Sequence, residues 1–301
     1  MENTNAPTVA DILDRYERDC MPHLAPRTQK DYVRHLRVLR REFGQRIAEE
    51  LRPKDFGPFL QVKKGPVQRV RQLAVLSSAF TQAVSFWYWL PSNVLRDVKR
   101  MKNKPRDRLI LDEEFAACKA LAPERVKLAM TLALLTGQRQ GDIIRFKWSD
   151  LRGMELHVHQ AKTGKRLAIE VSAELEATLD KCWLLKGGGH AGSPYVLPTR
   201  TGSPYTSEGF RACWQRAHKK WMRSGGEPFH FHDIRALAAT KCPTPEVAMR
   251  LLGHTTLAMT MRVYRRGVER GQALSLQGDS YEPRTTSQAL PCRAARDPPL
   301  S

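Results

Sequence analysis

The sequence predicts a mainly α-helical protein of two domains, with a small antiparallel β-hairpin or sheet in the second domain. Three observations lead to this fold class. The chain has 301 residues, a length that suits two domains with separate hydrophobic cores. Apolar residues recur at helical spacing over most of it, and one pair of segments alternates apolar and polar residues. We predict domains at residues 1–98 and 111–277, a basic linker at 99–110 and a disordered tail at 278–301.

The first domain is predicted from three helical patterns. The first helix has one apolar stripe, formed by Val9, Ile12, Leu13 and Tyr16. The second begins at Thr28, which forms a capping-box pattern with Asp31. Its stripe consists of Tyr32, Leu36, Leu39 and Phe43. The third begins at Pro66, a residue tolerated in the first turn, and ends at the proline-containing residues 91–93.

The second domain begins at residue 111. Acidic residues 112–114 favour the first turn of a helix. Residues 126–135 predict an apolar helix that ends at Thr136 and Gly137. Two strands follow, with alternating patterns at 154–158 and 167–171, joined by a turn at 162–165. Helical patterns then continue to about Gln272.

Charge predicts the kind of partner. The chain contains 50 Lys and Arg against 31 Asp and Glu, a formal charge of +19. Such a charge points to a polyanion, most simply a nucleic acid. Between its apolar positions the second helix carries a basic face that includes Arg40, and phosphate contacts are predicted for Arg34, Arg37, Arg41 and, in the linker, Lys102 and Lys104. A solvated basic surface is the alternative. Trp87, Tyr88 and Trp89 could stack on bases, although core packing is favoured.

Composition also excludes several classes. With 41% hydrophobic residues the chain is too apolar to be disordered throughout. Its least polar segment, residues 73–90, is interrupted by serine, threonine and glutamine, which favours a buried helix over a membrane span. No secretory signal is recognisable. The six cysteines form no CxxC pair, which argues against a disulfide framework or a zinc site. We therefore expect a cytoplasmic protein associated with the nucleoid of a bacterial host.

Six residues of the second domain could together carry chemistry. Singly, each has an ordinary explanation: a local salt bridge from Arg139 to Asp142, a solvated turn lysine, a chance H-x-x-R pattern on one helical face. Together they form a cation-rich pocket with one nucleophile, suited to attack on a phosphodiester. A phenol, with a pKa of ~10, needs a base or nearby positive charge to attack at neutral pH. The six are Arg139, Lys162, His232, Arg235, His254 and Tyr264.

Other candidates are weaker. The pairs His230/His232 and His157/His159 could each place two imidazoles on one face of a strand, but neither has a third metal ligand nearby. We therefore expect no metal. Tyr281 lies in the predicted tail and is a distant second to Tyr264 as a nucleophile.

Five segments, in this order, resemble the motifs of the tyrosine recombinases, the phage integrase family that includes Cre, Xer and lambda integrase. TGQRQGD at residues 136–142 resembles the first arginine box, and QAKTG at 160–164 resembles the hairpin that carries the family's lysine. HDIR at 232–235, LLGH at 251–254 and TMRVYRR at 260–266 resemble the remaining boxes. The resemblance spans roughly residues 8–275 and implies the two-domain architecture of that family.

The resemblance implies a role for each residue. Tyr264 would attack the scissile phosphate and form a 3′-phosphotyrosyl link. Arg139 and Arg235 would hold its non-bridging oxygens with help from His254, and Asp142 would support Arg139. Lys162 would protonate the leaving oxygen, and His232 would act as acid or base beside the nucleophile. Because the ester stores the bond energy, no cofactor is expected.

The implied function is site-specific recombination, for integration or excision of a phage or mobile element. A homo-tetramer on DNA attachment or core sites would do the work, and accessory DNA-bending or directionality factors are further candidate partners. Three alternatives stay open at this stage: a Xer-like resolvase, a type IB topoisomerase-like enzyme, and a non-catalytic DNA-binding regulator.

Overall fold

The computed structural model describes residues 6–61, 65–99, 108–185 and 192–264. The chain divides into two compact units, residues 1–106 and 107–301, and each unit has its own hydrophobic core. The linker lysines Lys102 and Lys104 and the tail with Tyr281 lie outside the described residues. The fold class predicted from the sequence is confirmed, since most described residues are helical and the strands form one small antiparallel sheet.

In the described part of the first unit, four helices surround the core: α1 (Val9–Asp19), α2 (Pro26–Phe43), α3 (Gly57–Leu60) and α4 (Pro66–Ser85). The hydroxyl of Thr8 accepts the Asp11 N–H and so fixes the start of α1. The predicted stripe of α1 is buried in full. Leu36, Leu39 and Phe43 of the α2 stripe are also buried, whereas Tyr32 is half-buried.

The predicted start of α2 is wrong by three residues, because the predicted N-cap is Thr28 and the observed N-cap is Ala25. The helix begins at Pro26, after an extended Ala25, and no side chain caps it. Proline has its φ fixed near the helical value and needs no N–H acceptor in the first turn, so it starts a helix without a cap. Thr28 therefore lies inside the helix, and the capping-box pattern with Asp31 was misleading.

The predicted end of α4 is also wrong, because the helix stops at Ser85 rather than near residue 91. The Trp89 N–H donates to the Ala83 carbonyl at 2.8 Å, which folds the chain back, and Tyr88 has a φ of +55°. Trp87 and Trp89 pack on the core, with the Arg15 guanidinium 4.8 and 4.6 Å from their ring centroids. Core packing is thus confirmed for both tryptophans, whereas Tyr88 is exposed.

The second unit packs helices around a small sheet. Its described helices are α5 (Asp112–Ala120), α6 (Glu124–Thr136), α7 (Gln140–Ile143), α8 (Ala173–Trp183), α9 (Ser207–Arg223), α10 (Ile234–Thr240), α11 (Pro245–Leu252) and α12 (Leu257–Tyr264). Its strands are β1 (Leu151–Arg152), β2 (Glu155–His159) and β3 (Arg166–Glu170). The central helix α6 packs against α8 and α10. None of the helices in the described ranges is long and apolar enough to cross a bilayer.

The sheet has the order β1-β2-β3, with antiparallel neighbours. Leu156 lies opposite Ile169, and both are buried against the core. The predicted hairpin is therefore confirmed. Strand β1 was not predicted, because two residues are too few to show alternation. The hairpin turn, residues 160–165, carries Lys162 to the edge of the unit.

Candidate active site

Five side chains from separate segments line one cavity of about 420 Å³. They are Arg139, Lys162, His232, Arg235 and His254, together with Ala236 and Leu252. Arg139 follows α6, Lys162 lies in the hairpin turn, His232 lies in the 3-10 turn before α10, and Arg235 lies in the first turn of α10. His254 lies between α11 and α12. Residues up to 115 positions apart in the sequence, from 139 to 254, thus share one site.

The end of α6 sets the direction of Arg139. Gly137 caps the helix in the left-handed region, with a φ of +63°, which a glycine adopts without strain. A Cβ at Gly137 would also come within 3.0 Å of the Leu252 side chain. The chain can therefore turn sharply beneath α11 and place Arg139 at the cavity. The Arg139 Nη1 donates to Gln160 Oε1 at 2.9 Å.

Arg235 is the most buried of the cavity's charged groups, with 5% of its surface exposed. Its Nη1 donates to the Gly137 carbonyl and its Nη2 to the Leu252 carbonyl, both at 2.6 Å. Burial and the neighbouring Arg139 lower the pKa of Arg235 from 12.5 to about 9, while Asp142 acts in the opposite direction. The guanidinium therefore stays charged at neutral pH and is held in one orientation.

His254 follows Gly253, which ends α11 with a φ of +66°. Its carbonyl accepts from Lys165 Nζ at 3.2 Å, and its Nδ1 shares a hydrogen bond of 3.0 Å with the hydroxyl of buried Thr260. Burial lowers the pKa of His254 to about 4, and the surrounding cations Arg235, Arg139 and Lys165 and the ring of His232 add to this effect. At neutral pH the ring is neutral, so it can donate a hydrogen bond but adds no charge.

Lys162 and His232 are the exposed members of the cavity. Lys162 extends from a hairpin turn in which the Gly164 N–H donates to the Gln160 carbonyl at 2.8 Å. His232 lies in a 3-10 turn, Phe231–Asp233, and not on one α-helical face with Arg235 as the spacing suggested. The buried ring of Phe231 and the Asp233 carboxylate, which accepts the His230 N–H at 2.8 Å, fix that turn.

The second unit also matches a known family along most of its length. The sequence model of the Phage integrase family matches residues 111–269, just over half of the chain. The chain belongs to the phage integrase family. All five cavity residues fall within the matched range, and so does Tyr264. The chain is accordingly a site-specific DNA recombinase of the tyrosine recombinase class.

Relatives of this integrase are found by sequence and by structure. The integrase of Escherichia phage lambda is 29% identical over 276 residues, which cover 86% of this chain and 76% of that protein. The prophage integrase IntE of Escherichia coli K12 is 28% identical over 289 residues, 86% of this chain and 76% of that protein. A crystal structure of a lambda integrase (75–356) dimer bound to a COC′ core site has a TM-score of 0.77 and 27% identity, covering 89% of this chain and 99% of that one.

The role expected for Asp142 needs correction. Its Oδ1 accepts the Ala161 N–H at 3.0 Å and Arg145 Nη2 at 3.4 Å. Within the described residues its carboxylate makes no hydrogen bond or ion pair to the Arg139 side chain, and the contact between the two residues is the Asp142 N–H donating to the Arg139 carbonyl at 2.9 Å. The side chain that holds Arg139 is Gln160. Asp142 instead ties the hairpin to α7, because its short side chain points toward the hairpin backbone.

Sequence reasoning missed Gln160 and Thr260. Each is fully buried and bonded to a cavity residue. Gln160 lies two positions before Lys162, at the point where a polar residue ends the alternation of β2. This break in the pattern is the sequence signal that could have identified Gln160. Nothing in the sequence distinguishes Thr260 from the neighbouring threonines.

Several predicted residues are not among those that line the cavity, or have side chains outside the described residues. Tyr264 is the last residue of α12, and its side chain lies outside the described part. Arg34, Arg37 and Arg41 are exposed along α2, whereas Arg40 donates to Asp14 at 2.9 Å and also pairs with Glu17. Among the described residues, no three His, Cys, Asp or Glu side chains form a metal-binding group. Of the histidines considered as metal ligands, His157 has its Nε2 3.2 Å from Glu155 Oε2.

Proposed function

We propose that this integrase cuts and rejoins DNA through a 3′-phosphotyrosyl intermediate formed on Tyr264. The observation that carries the proposal is the single cavity formed by Arg139, Lys162, His232, Arg235 and His254. Two fixed guanidiniums and a neutral imidazole suit the negative charge that builds on the non-bridging oxygens of a phosphate under attack. Helix α12 begins three residues after His254 and ends at Tyr264, so one short helix separates the proposed nucleophile from a cavity residue along the chain.

In the proposed reaction, the Tyr264 oxygen forms a bond to phosphorus, and the bond from phosphorus to the 5′ oxygen breaks. His232 takes the phenolic proton, and Lys162 supplies a proton to the leaving 5′ oxygen. Arg139 and Arg235 bind the non-bridging oxygens. When Nδ1 of His254 accepts from Thr260, its Nε2 carries the proton and donates to the same phosphate. Rejoining reverses these transfers, with a 5′-hydroxyl as nucleophile.

We further propose that the chain acts on double-stranded core sites as a homo-tetramer in the bacterial cytoplasm, and that it integrates or excises a phage or mobile element. A lambda integrase tetramer bound to a Holliday junction has a TM-score of 0.74 and 25% identity to this chain, which supports the assembly. The exposed Arg34, Arg37 and Arg41 of α2 are proposed to contact DNA phosphates.

The test is formation of a covalent adduct. The chain is incubated, with EDTA present, with nicked duplexes made from the DNA that flanks its gene, and adducts are resolved on a denaturing gel. Wild type is expected to form an adduct, and Tyr264→Phe is expected to form none while binding the duplex nearly as well. Tyr281→Phe is the matched control and should behave like wild type.

An adduct that survives Tyr264→Phe would contradict the assigned nucleophile, and loss of cleavage in EDTA would contradict the cofactor-free reaction. Exchange of flanks between two marked duplexes is expected for a recombinase. Relaxation of supercoils without exchange would indicate the topoisomerase-like alternative.

A further inference from the structure

Gln160 is a buried amide at the end of β2, with 0% of its surface exposed. It neither lines the cavity nor belongs to the hydrophobic core. A buried amide without partners is costly, because its two N–H donors and its carbonyl oxygen lose their hydrogen bonds to water. The contacts of this one side chain therefore indicate what it does.

Every hydrogen-bonding position of the Gln160 amide is occupied. Its Oε1 accepts from Arg139 Nη1 at 2.9 Å and from the Thr163 hydroxyl at 2.8 Å. Its Nε2 donates to Gln138 Oε1 at 2.7 Å and to the Leu252 carbonyl at 2.9 Å. A guanidinium can only donate and a carbonyl can only accept, so the amide has one orientation that satisfies both.

The Leu252 carbonyl also accepts from Arg235 Nη2 at 2.6 Å. The two cavity arginines are thus tied to one backbone oxygen, Arg235 directly and Arg139 through Gln160. The end of α11 passes close to this amide, because a Cβ on Gly253 would come within 2.9 Å of Gln160 Nε2. The last carbonyl of α11 therefore sets the separation of the two guanidiniums.

We infer that Gln160 is a positioning residue that fixes Arg139 relative to Arg235, so that both guanidiniums meet one phosphate. This inference rests on the proposed function, in which the two arginines bind the scissile phosphate. Donors already fixed before the reaction stabilise developing charge without reorganising, and small displacements lower the rate. Gln160 touches neither DNA nor the reacting atoms in this scheme, and it acts through Arg139.

The first test is Gln160→Met, which keeps the length of the side chain and removes its hydrogen bonds. At saturating nicked duplex, adduct formation is expected to slow roughly tenfold to a hundredfold, with DNA affinity nearly unchanged. The matched control is Gln140→Met, which removes the amide next to Arg139 in the chain; this amide donates to the Ser207 carbonyl at a long 3.5 Å. This control should cleave like wild type. A wild-type rate for Gln160→Met would overturn the inference.

The second test separates positioning from general structural support by combining Gln160→Met with Arg139→Lys. If Gln160 acts through the Arg139 guanidinium, its loss should cost little once that guanidinium is gone. If Gln160→Met lowers the rate by the same factor in the wild-type chain and in Arg139→Lys, the inference is overturned. If Arg139→Lys is slow and Gln160→Met cleaves at the wild-type rate, this inference is overturned and the proposed function is not. If Arg139→Lys cleaves at the wild-type rate, the proposed function itself is contradicted.

Melting temperatures of all variants establish that each is folded under assay conditions. Should Gln160→Met unfold, Gln160→Asn replaces it. Asparagine keeps the amide but is one methylene too short to reach both Arg139 and the Leu252 carbonyl. The same slow cleavage with unchanged affinity is expected, and a wild-type rate would overturn the inference.

Discussion

The residues that line the cavity form two groups that differ in burial. Arg235 donates to backbone carbonyls, His254 shares a hydrogen bond with a buried hydroxyl, and Arg139 donates to a buried amide. Lys162 and His232 are exposed, on a hairpin turn and in a 3-10 turn. The more buried group is proposed to stabilise charge, and the exposed group is proposed to transfer protons.

The difference follows from what each task requires. Charge stabilisation gains most from donors that are already in place, because reorganising them during the reaction would cost free energy. Proton transfer needs a group within hydrogen-bond reach of one atom, and such contacts commonly tighten only when the substrate is bound. Substitutions of Arg139, Arg235 and His254 should therefore affect both rate and stability, whereas substitution of the exposed Lys162 should affect rate alone.

The largest effect is expected for Arg235→Ala. Loss of the guanidinium should slow adduct formation by ~10²–10³-fold. It also leaves the Gly137 and Leu252 carbonyls without this donor and should lower the free energy of unfolding by about 1–3 kcal/mol. Single-turnover cleavage and urea denaturation measure the two effects. Arg235→Lys keeps the charge but not the two-pronged guanidinium, so it should recover only part of the cleavage rate and part of the stability. A folded Arg235→Ala that cleaves at the wild-type rate would contradict the proposed role of Arg235.

A smaller effect is expected for Lys162→Ala. Cleavage should slow by ~10²-fold because the leaving oxygen loses its proton donor, while the urea midpoint stays unchanged. A substrate with a 5′-bridging sulfur, which leaves without protonation, should restore most of the rate. Lys165→Ala is the matched control, because Lys165 bonds to the His254 carbonyl, and any loss in that variant should not be restored by sulfur. Failure of sulfur to rescue Lys162→Ala would refute the assignment.

The smallest effect is expected in the pH dependence of stability. His254 has a folded pKa of about 4 and an unfolded pKa of 6.5, so between these values the unfolded chain binds more protons. Stability is therefore lost as the pH falls through that window. Burial also lowers the pKa of His35 and of His218, so the wild-type pH dependence does not report on His254 alone. A His254 variant is therefore compared with wild type. His254→Asn should show a smaller drop in melting temperature from pH 7 to pH 5 than wild type. An unchanged drop in His254→Asn would contradict the buried neutral state.

Much of the fold could be predicted because its signals are local. The apolar stripe of α1, the left-handed Gly137 and the alternation of β2 and β3 each depend on residues close together in the chain. The two errors in helix bounds have different causes: at α2 the sequence offers two local starts, and at α4 contacts outside the helix decide where it ends. Pro26 competed with Thr28 at α2, and the packing of the two tryptophans ended α4.

The sequence by itself determined the composition of the candidate site, since the residue types and their order match the motifs of the phage integrase family. Only the tertiary structure decided how the cations are held. The contact of Arg139 with Gln160 rather than Asp142, and the carbonyl of Leu252 shared by Gln160 and Arg235, join segments up to 92 residues apart. Hydrogen bonds of this kind depend on direction and distance in space, and no periodicity along a chain encodes them.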